Sequence, residues 1–363
     1  MKIAFFGSSL VSSYWNGAAT YYRGLLKALA ALGEDITFYE PDAYGRQQHR
    51  DMADPEWARV VVYPATALGW QSALEEAVRQ CDLIAKASGV GVFDAELEQA
   101  VPAAVGTRHT TVYWDVDAPA TLESMAADER HHLRRMIPRY DMVLTYGGGD
   151  PVVRRYRELG ARACVPIYNA LDPQTHHPVP ARPEFQCDLS FLGNRLPDRE
   201  ARVEEFFLKA AARLPEKSFL LGGSGWETKQ LPSNVRLAGH VGSGDHNAFY
   251  CSGGATLNVN RGSMARFGFS PPTRIFEAAG SGACIISDAW DGIELFLEPG
   301  REILVAADGN EVADIMAGLT PQAAQQIAKA GRSRILAKHT YTHRAQEVAA
   351  LLASRISRYE AAE

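Results

Sequence analysis

The feature that most constrains this chain is a repeated alternation. Short apolar runs of strand length are each followed by a glycine-bearing loop and then by a stretch with helical spacing. Lys2 to Phe6 is such a run, and it ends at Gly7-Ser8-Ser9. From about Ala18 to Leu32, Tyr21, Leu25, Leu29 and Leu32 recur at helical spacing until Gly33 stops the pattern. Ile36 to Pro41 reads as the next strand. Continuous apolar runs fit strands covered on both faces, as in a parallel sheet flanked by helices. Strand, glycine loop, helix and strand together make a Rossmann-type βαβ unit. The pattern continues with a helix over Trp70–Arg79, strands at Leu83–Lys86, Thr110–Trp114 and Asp141–Thr145, and a helix from about Pro151 to Leu159.

A chain of 363 residues is long enough for two domains. The alternation breaks once, where Pro173, Pro178, Pro180 and Pro183 crowd among polar residues, and resumes at Cys187. This predicts a first domain over 1–170, a linker over 171–186 and a second domain over 187–340, with a terminal helix in 341–363. In the second domain, strands are expected at Asp188–Leu192, Ser218–Leu221, Ala255–Asn260, Ala283–Ser287 and Glu302–Val305. Helices are expected over Glu200–Arg213 and Thr273–Gly280. The expected fold class is α/β, with two Rossmann-like domains.

The balance of charge narrows the function. A net charge of −6 argues against a nucleic-acid-binding surface, which needs a basic excess. Five cysteines stand singly, with no C-x-x-C pair and no zinc spacing, which fits a reducing cytoplasm. No run approaches the ~20 apolar residues that span a bilayer, so a cytoplasmic protein is expected. No G-x-G-x-x-G follows the first strand, which disfavours a nicotinamide dehydrogenase.

The residues richest in chemistry lie in Ser270-Pro271-Pro272-Thr273-Arg274-Ile275-Phe276-Glu277. Two prolines before a helix fix its first turn. The free N–H groups of that turn and the helix dipole attract an anion. Thr273 adds a hydroxyl, and Arg274 a planar fork suited to phosphate oxygens. Glu277, nearly one turn further, can accept hydrogen bonds from a ribose 2′- and 3′-hydroxyl. Pyrophosphate at the helix tip and ribose one turn in is a way to hold a nucleoside diphosphate. The same spacing also fits an ordinary capped helix with an Arg–Glu pair.

Pro272 to Asp288, with Gly292–Phe296 and Glu298–Glu302, resembles the donor-binding signature of GT-B glycosyltransferases, most closely the CgeB-like (spore-maturation type) group. Leu257–Arg261 and Phe191–Arg199 are also similar to that group. The resemblance covers roughly residues 140–345. It implies two Rossmann-like domains with a cleft between them and a C-terminal helix crossing back to the N-terminal domain. It implies a glycosyltransferase moving a hexose from a UDP- or dTDP-sugar to a hydroxyl acceptor, namely a small molecule, glycan or protein. No cofactor and no metal are expected. Glu277 would bind the ribose, and Pro272, Thr273 and Arg274 would meet the diphosphate. Gly193 and Asn194 would let the backbone approach it, with Arg199 as a further cation. Gly239, His240 and Val241 would line the base pocket, and Asn258 and Arg261 would lie near the sugar or phosphate. Many retaining GT-B enzymes carry a second glutamate eight residues before the ribose glutamate; here that position is Phe269.

The first domain would take the acceptor. Ser8, Ser9, Tyr14, Trp15, Asn16 and Gly17 lie between its first strand and first helix, as an acceptor or phosphate loop. Asp115 and Asp117 end a strand at the edge where open α/β sheets bind ligands. A carboxylate there can deprotonate a hydroxyl, and a spacing of two in extended chain would point both to one face. His109, just before the same strand, is a further catalytic candidate. Asp115-Val116-Asp117 is also literally a D-x-D. His176-His177, beside Pro178, reads as linker. Two other functions fit the same pattern: a nucleotide-sugar epimerase or hydrolase, and a non-catalytic nucleotide-sugar-binding protein.

Overall fold

Lys2–Phe6 shows how the local sequence builds the sheet. Its residues after Lys2 are all buried, so the strand has no solvent face and must be covered on both sides. The computed structural model describes residues 1–14, 16–106 and 108–360; Trp15 lies outside the described residues. The chain divides into two compact units. The first holds Met1–Tyr168 and the chain from Tyr341 on, the second Asn169–Thr340.

The first unit is built on a seven-stranded sheet: β1 (Lys2–Phe6), β2 (Asp35–Asp42), β3 (Arg59–Pro64), β4 (Leu83–Ala87), β5 (Thr110–Asp115), β6 (Met142–Thr145) and β7 (Cys164–Pro166). The order is β3-β2-β1-β4-β5-β6-β7, and each pairing is parallel. The first helix, Ala19–Ala31, buries Tyr21, Tyr22, Leu25, Leu26 and Leu29. Leu32, expected on its apolar face, is instead 44% exposed, because the chain has already left the helix ahead of the left-handed Gly33. The Tyr341–Glu360 helix packs on this first helix. A β-carbon at Gly24 would overlap the Tyr341 ring, so only glycine allows the approach.

The second unit carries a six-stranded parallel sheet: β8 (Cys187–Leu192), β9 (Phe219–Gly222), β10 (Val235–Gly239), β11 (Gly253–Asn258), β12 (Ile285–Asp288) and β13 (Leu304–Ala306). Its order is β10-β9-β8-β11-β12-β13. Phe191, Phe207, Phe219, Trp226, Leu257 and Ile286 are central in the core beside it. The 171–186 stretch, expected as a linker, belongs to this unit. Its backbone is hydrogen-bonded to side chains of the His246–Ser252 helix, His177 N to Asn247 Oδ1 at 3.2 Å and Arg182 N to Ser252 Oγ at 2.8 Å. Prolines stop regular structure there without preventing close packing.

Candidate functional site

In the second sheet the strand order reverses between β8 and β11, the point where open α/β sheets bind ligands beyond their carboxyl ends. Arg274 spans that point. Its Nε donates to the Leu192 carbonyl at the end of β8 at 2.8 Å, and its Nη1 to Asn258 Oδ1 at the end of β11 at 2.9 Å. The guanidinium lies 5.0 Å from the centre of the Phe191 ring and is almost wholly buried. Asn258 is itself held by Ser287 Oγ at 3.0 Å. Arg274 is thus fixed by both halves of the sheet, and its remaining N–H groups are pre-aimed rather than free to rotate.

The loops after β8, β9 and β10 are stitched together. Gly193 N donates to the Gly222 carbonyl at 3.0 Å and Gly223 N to the Gly239 carbonyl at 2.7 Å. Asn194 Oδ1 accepts from Ser224 N at 3.0 Å. Gly223, with φ at 118°, lies so close to the Gly193 carbonyl that a side chain would overlap it. Arg199 reaches into this layer, donating from Nη1 to the Asn194 carbonyl at 3.2 Å. Its Nε is buried with no partner among the described residues. Burial first, and then the neighbouring Arg274 and Arg261, lower the Arg199 guanidinium to about 10. Arg261 is paired with Asp198 at 2.5 Å.

Pro272 precedes the Thr273–Ser281 helix, and among the described residues no side chain caps that end and no acid occupies its first turn. Thr273, Arg274 and Glu277 line a cavity of about 250 Å³ with Leu192, Gly193, Asn194, Gly223, His240, Val241, His246 and Tyr250. Seven expected donor residues are therefore brought together here. Arg199 stands beside Gly193, whereas Gly239, Asn258, Arg261 and Pro272 support the loops around the cavity. His246 and Tyr250, one helical turn apart in the His246–Ser252 helix, are residues that sequence reading missed. Burial holds the His246 imidazole below its ordinary value, against the opposing pull of Glu277. Burial also pushes the Tyr250 phenol up. Phe269 has φ at 49°, a left-handed conformation rare for an aromatic residue. A cavity of about 1000 Å³ lies elsewhere, lined by Gly253, Ala283, Gln322, Lys329 and Arg332. It sits at the amino ends of β11 and β12, away from the edge where such sheets bind ligands.

In the first unit Asp115 and Asp117 part company. Asp115 is fully buried and accepts from Ser88 Oγ at 2.8 Å, Thr121 Oγ1 at 2.9 Å, the Asp117 N–H at 3.1 Å and the Tyr156 hydroxyl. Burial raises its carboxyl above the ordinary range, against those hydrogen bonds. The expectation that both carboxylates share one face does not hold, because β5 ends at Asp115 and Asp117 already precedes the Ala118–Ala127 helix. Asp117 is half-buried. His109 is at the amino end of β5, with Nε2 2.9 Å from the Val78 carbonyl. Five strand residues then separate it from Asp115, about 20 Å over six steps of strand rise, so it does not converge with the two acids. Ser8 Oγ donates to Asn16 Oδ1 at 2.8 Å and Ser9 Oγ to Glu40 Oε1 at 3.0 Å, both buried. Their groups are engaged in holding the loop. Tyr14 stacks on His49 with ring centres 4.0 Å apart and stays 40% exposed. A β-carbon on Gly17 would meet nothing within 4 Å.

Two parallel Rossmann-like sheets define the class of fold as GT-B, the two-domain fold of many glycosyltransferases. Residues 199–350 match the family described as "Glycosyl transferase-like". The fold is similar to sucrose-phosphate synthase from Thermosynechococcus elongatus, with TM-score 0.74 and 15% identity over 99% of this chain and 100% of that one. It is also similar to Anabaena HepE in complex with UDP-glucose, with TM-score 0.67 and 16% identity over 98% of this chain and 100% of that one. T4 phage BGT in complex with its UDP-glucose substrate aligns with TM-score 0.59 and 11% identity over 95% and 97% of the two chains. No curated protein matches the chain in sequence. Among the described residues no helix is long and apolar enough to cross a membrane.

Proposed function

We propose that this protein is a glycosyltransferase of the CgeB-like group that moves a hexose from a UDP- or dTDP-sugar to a hydroxyl acceptor. The observation that carries the reading is the pairing of Arg199 and Arg274 beside an uncapped helix end, with Glu277 one turn further along in the same cavity. Cations packed against each other in a half-buried site are costly unless an anion joins them. A diphosphate at the helix tip supplies that anion, and Glu277 then faces the ribose. Uridine is favoured because similar folds, HepE and T4 phage BGT, were solved with UDP-glucose.

In the transfer, the acceptor oxygen bonds to the anomeric carbon. The bond from that carbon to the diphosphate breaks, and its electron pair leaves with the phosphate. Arg274, Arg199 and the helix N–H groups stabilise the charge that develops there. Asp117, half-buried at the carboxyl edge of β5, takes the acceptor proton. Asp115 holds the loop beneath it. The five cysteines are all unpaired, which supports a cytoplasmic site of action.

Calorimetric titration with UDP, dTDP, GDP, CDP and ADP tests the reading, on the native protein and on Glu277→Ala. One sugar-carrier diphosphate should bind, and the variant should lose it. Binding of none, or equal binding by the variant, would remove the donor site.

A further inference from the structure

Three side chains from separate elements meet beside Glu277. His176 comes from the proline-rich stretch, His246 from the start of the His246–Ser252 helix, and Glu277 from the Thr273–Ser281 helix. One potential ligand atom from each lies within 4.8 Å of the others. His176 is only 9% exposed, and its Nε2 is buried with no partner among the described residues. A buried imidazole nitrogen left unpaired is uncommon, since most such groups find a hydrogen bond.

The rest of the local structure holds these groups in place. His176 Nδ1 is 3.0 Å from the Thr175 hydroxyl, which leaves the buried Nε2 as the nitrogen available to an ion. Asn247 clamps both sides of His176: its Oδ1 accepts from His177 N at 3.2 Å, and its Nδ2 donates to the Thr175 carbonyl at 2.9 Å. Gly280 permits the approach, because a β-carbon there would lie 3.0 Å from the His176 carbonyl. Such outer contacts orient imidazoles that bind metals.

We propose that His176, His246 and Glu277 form a binding site for a zinc-like divalent ion, and that this ion and the nucleotide compete for Glu277. Two imidazoles and one carboxylate suit Zn²⁺ and leave its fourth position open. Zn–N bonds of about 2.0–2.1 Å set tetrahedral ligand atoms about 3.4 Å apart. Atoms within 4.8 Å of one another therefore need to close by at most about 1.4 Å, within the reach of side-chain rotation. Hard Mg²⁺, which favours oxygen ligands and keeps its waters, does not suit the site. The ion would act as an inhibitor that occupies the ribose carboxylate. That competition rests on the donor reading above, whereas the metal site itself does not.

The test is calorimetric titration of the full chain with Zn²⁺ alone, in metal-free buffer without nucleotide. One ion should bind, and His176→Ala and Glu277→Gln should each weaken it at least tenfold. Absence of binding by the native protein, or unchanged binding by either variant, overturns the site. UDP binding by His176→Ala, measured with a chelator present, shows that this variant is folded. A native protein that takes Zn²⁺ but not UDP keeps the metal site and loses the donor reading. Where both bind, Zn²⁺ should raise the apparent Kd for UDP in the native protein and leave it unchanged in His176→Ala. Independent binding of the two would overturn the sharing of Glu277.

Discussion

Arg199 and Arg274 meet over Gly193: a β-carbon there would stand 3.0 Å from a terminal nitrogen of Arg199 and 3.1 Å from one of Arg274. Gly193 is required for space rather than for backbone conformation, since it is not among the glycines with positive φ. Gly193→Ala should therefore still fold, with the Arg199 end giving way most easily and the held Arg274 and the Phe191 ring, 3.1 Å from the added carbon, shifting by a few tenths of an ångström. It should bind UDP about tenfold more weakly, roughly 1.4 kcal/mol. Titration of the variant with UDP reads this directly, and native-like affinity would take Gly193 out of the diphosphate site.

Arg199 should show the trade between stability and binding. Burial and its cationic neighbours lower its guanidinium to about 10, so the folded protein holds this proton less tightly than the unfolded chain does. The charge then costs stability at every pH below about 10, and the cost lifts as pH rises past that value. Arg199→Met should raise the thermal midpoint by about 2–4 °C, which corresponds to roughly 1 kcal/mol. The same variant should lose at least tenfold in UDP affinity, and UDP should raise its midpoint less than that of the native protein. A lower midpoint together with unchanged UDP binding would mean the guanidinium is a structural prop.

If Glu277 reads the ribose, its effect must depend on the sugar hydroxyls. Hydrogen bonds to a charged group contribute about 1.5–3 kcal/mol, or roughly tenfold to more than a hundredfold. The native protein should prefer UDP over 2′-deoxy-UDP within that range, and Glu277→Gln should bind the two almost equally. A variant that still discriminates would place ribose recognition on another residue.

The donor half of the site was the more legible half, for a local reason. Pro271-Pro272 fixes the start of a helix in the sequence itself, so the positions of Thr273, Arg274 and Glu277 along that helix follow without tertiary knowledge. The parallel sheets were legible for a similar reason, since runs such as Lys2–Phe6 have no face to give to solvent. What joined Glu277 to His176 and His246 was not legible. Prolines signal the end of regular structure and say nothing of what the segment packs against, and Asn247 reads as an ordinary polar residue until its contacts are seen. Asp115 and Asp117 failed for a third reason. Their spacing implies a shared face only while the strand continues, and β5 ends between them.

That separation gives opposite expectations for the two acids. Asp115 satisfies four donors in a fully buried place, so Asp115→Ala should cost about 2–4 kcal/mol of stability by leaving them unpaired. Its raised carboxyl also fixes the sign of a pH effect. The folded state favours the protonated acid, so the stability it contributes is fully present below the ordinary carboxylate value. It is lost as pH climbs through the raised value. The isosteric Asp115→Asn, which does not titrate, should flatten that part of the stability curve, as read by urea unfolding at a series of pH values. Asp117→Asn should leave unfolding unchanged to within about 0.5 kcal/mol. It should slow the release of UDP from UDP-glucose, with water as surrogate acceptor, by roughly 10²–10⁴-fold, the usual contribution of a general base. Equal turnover by Asp117→Asn and the native protein would move the base to another residue, while loss of stability in that variant would make Asp117 a helix-start residue and nothing more.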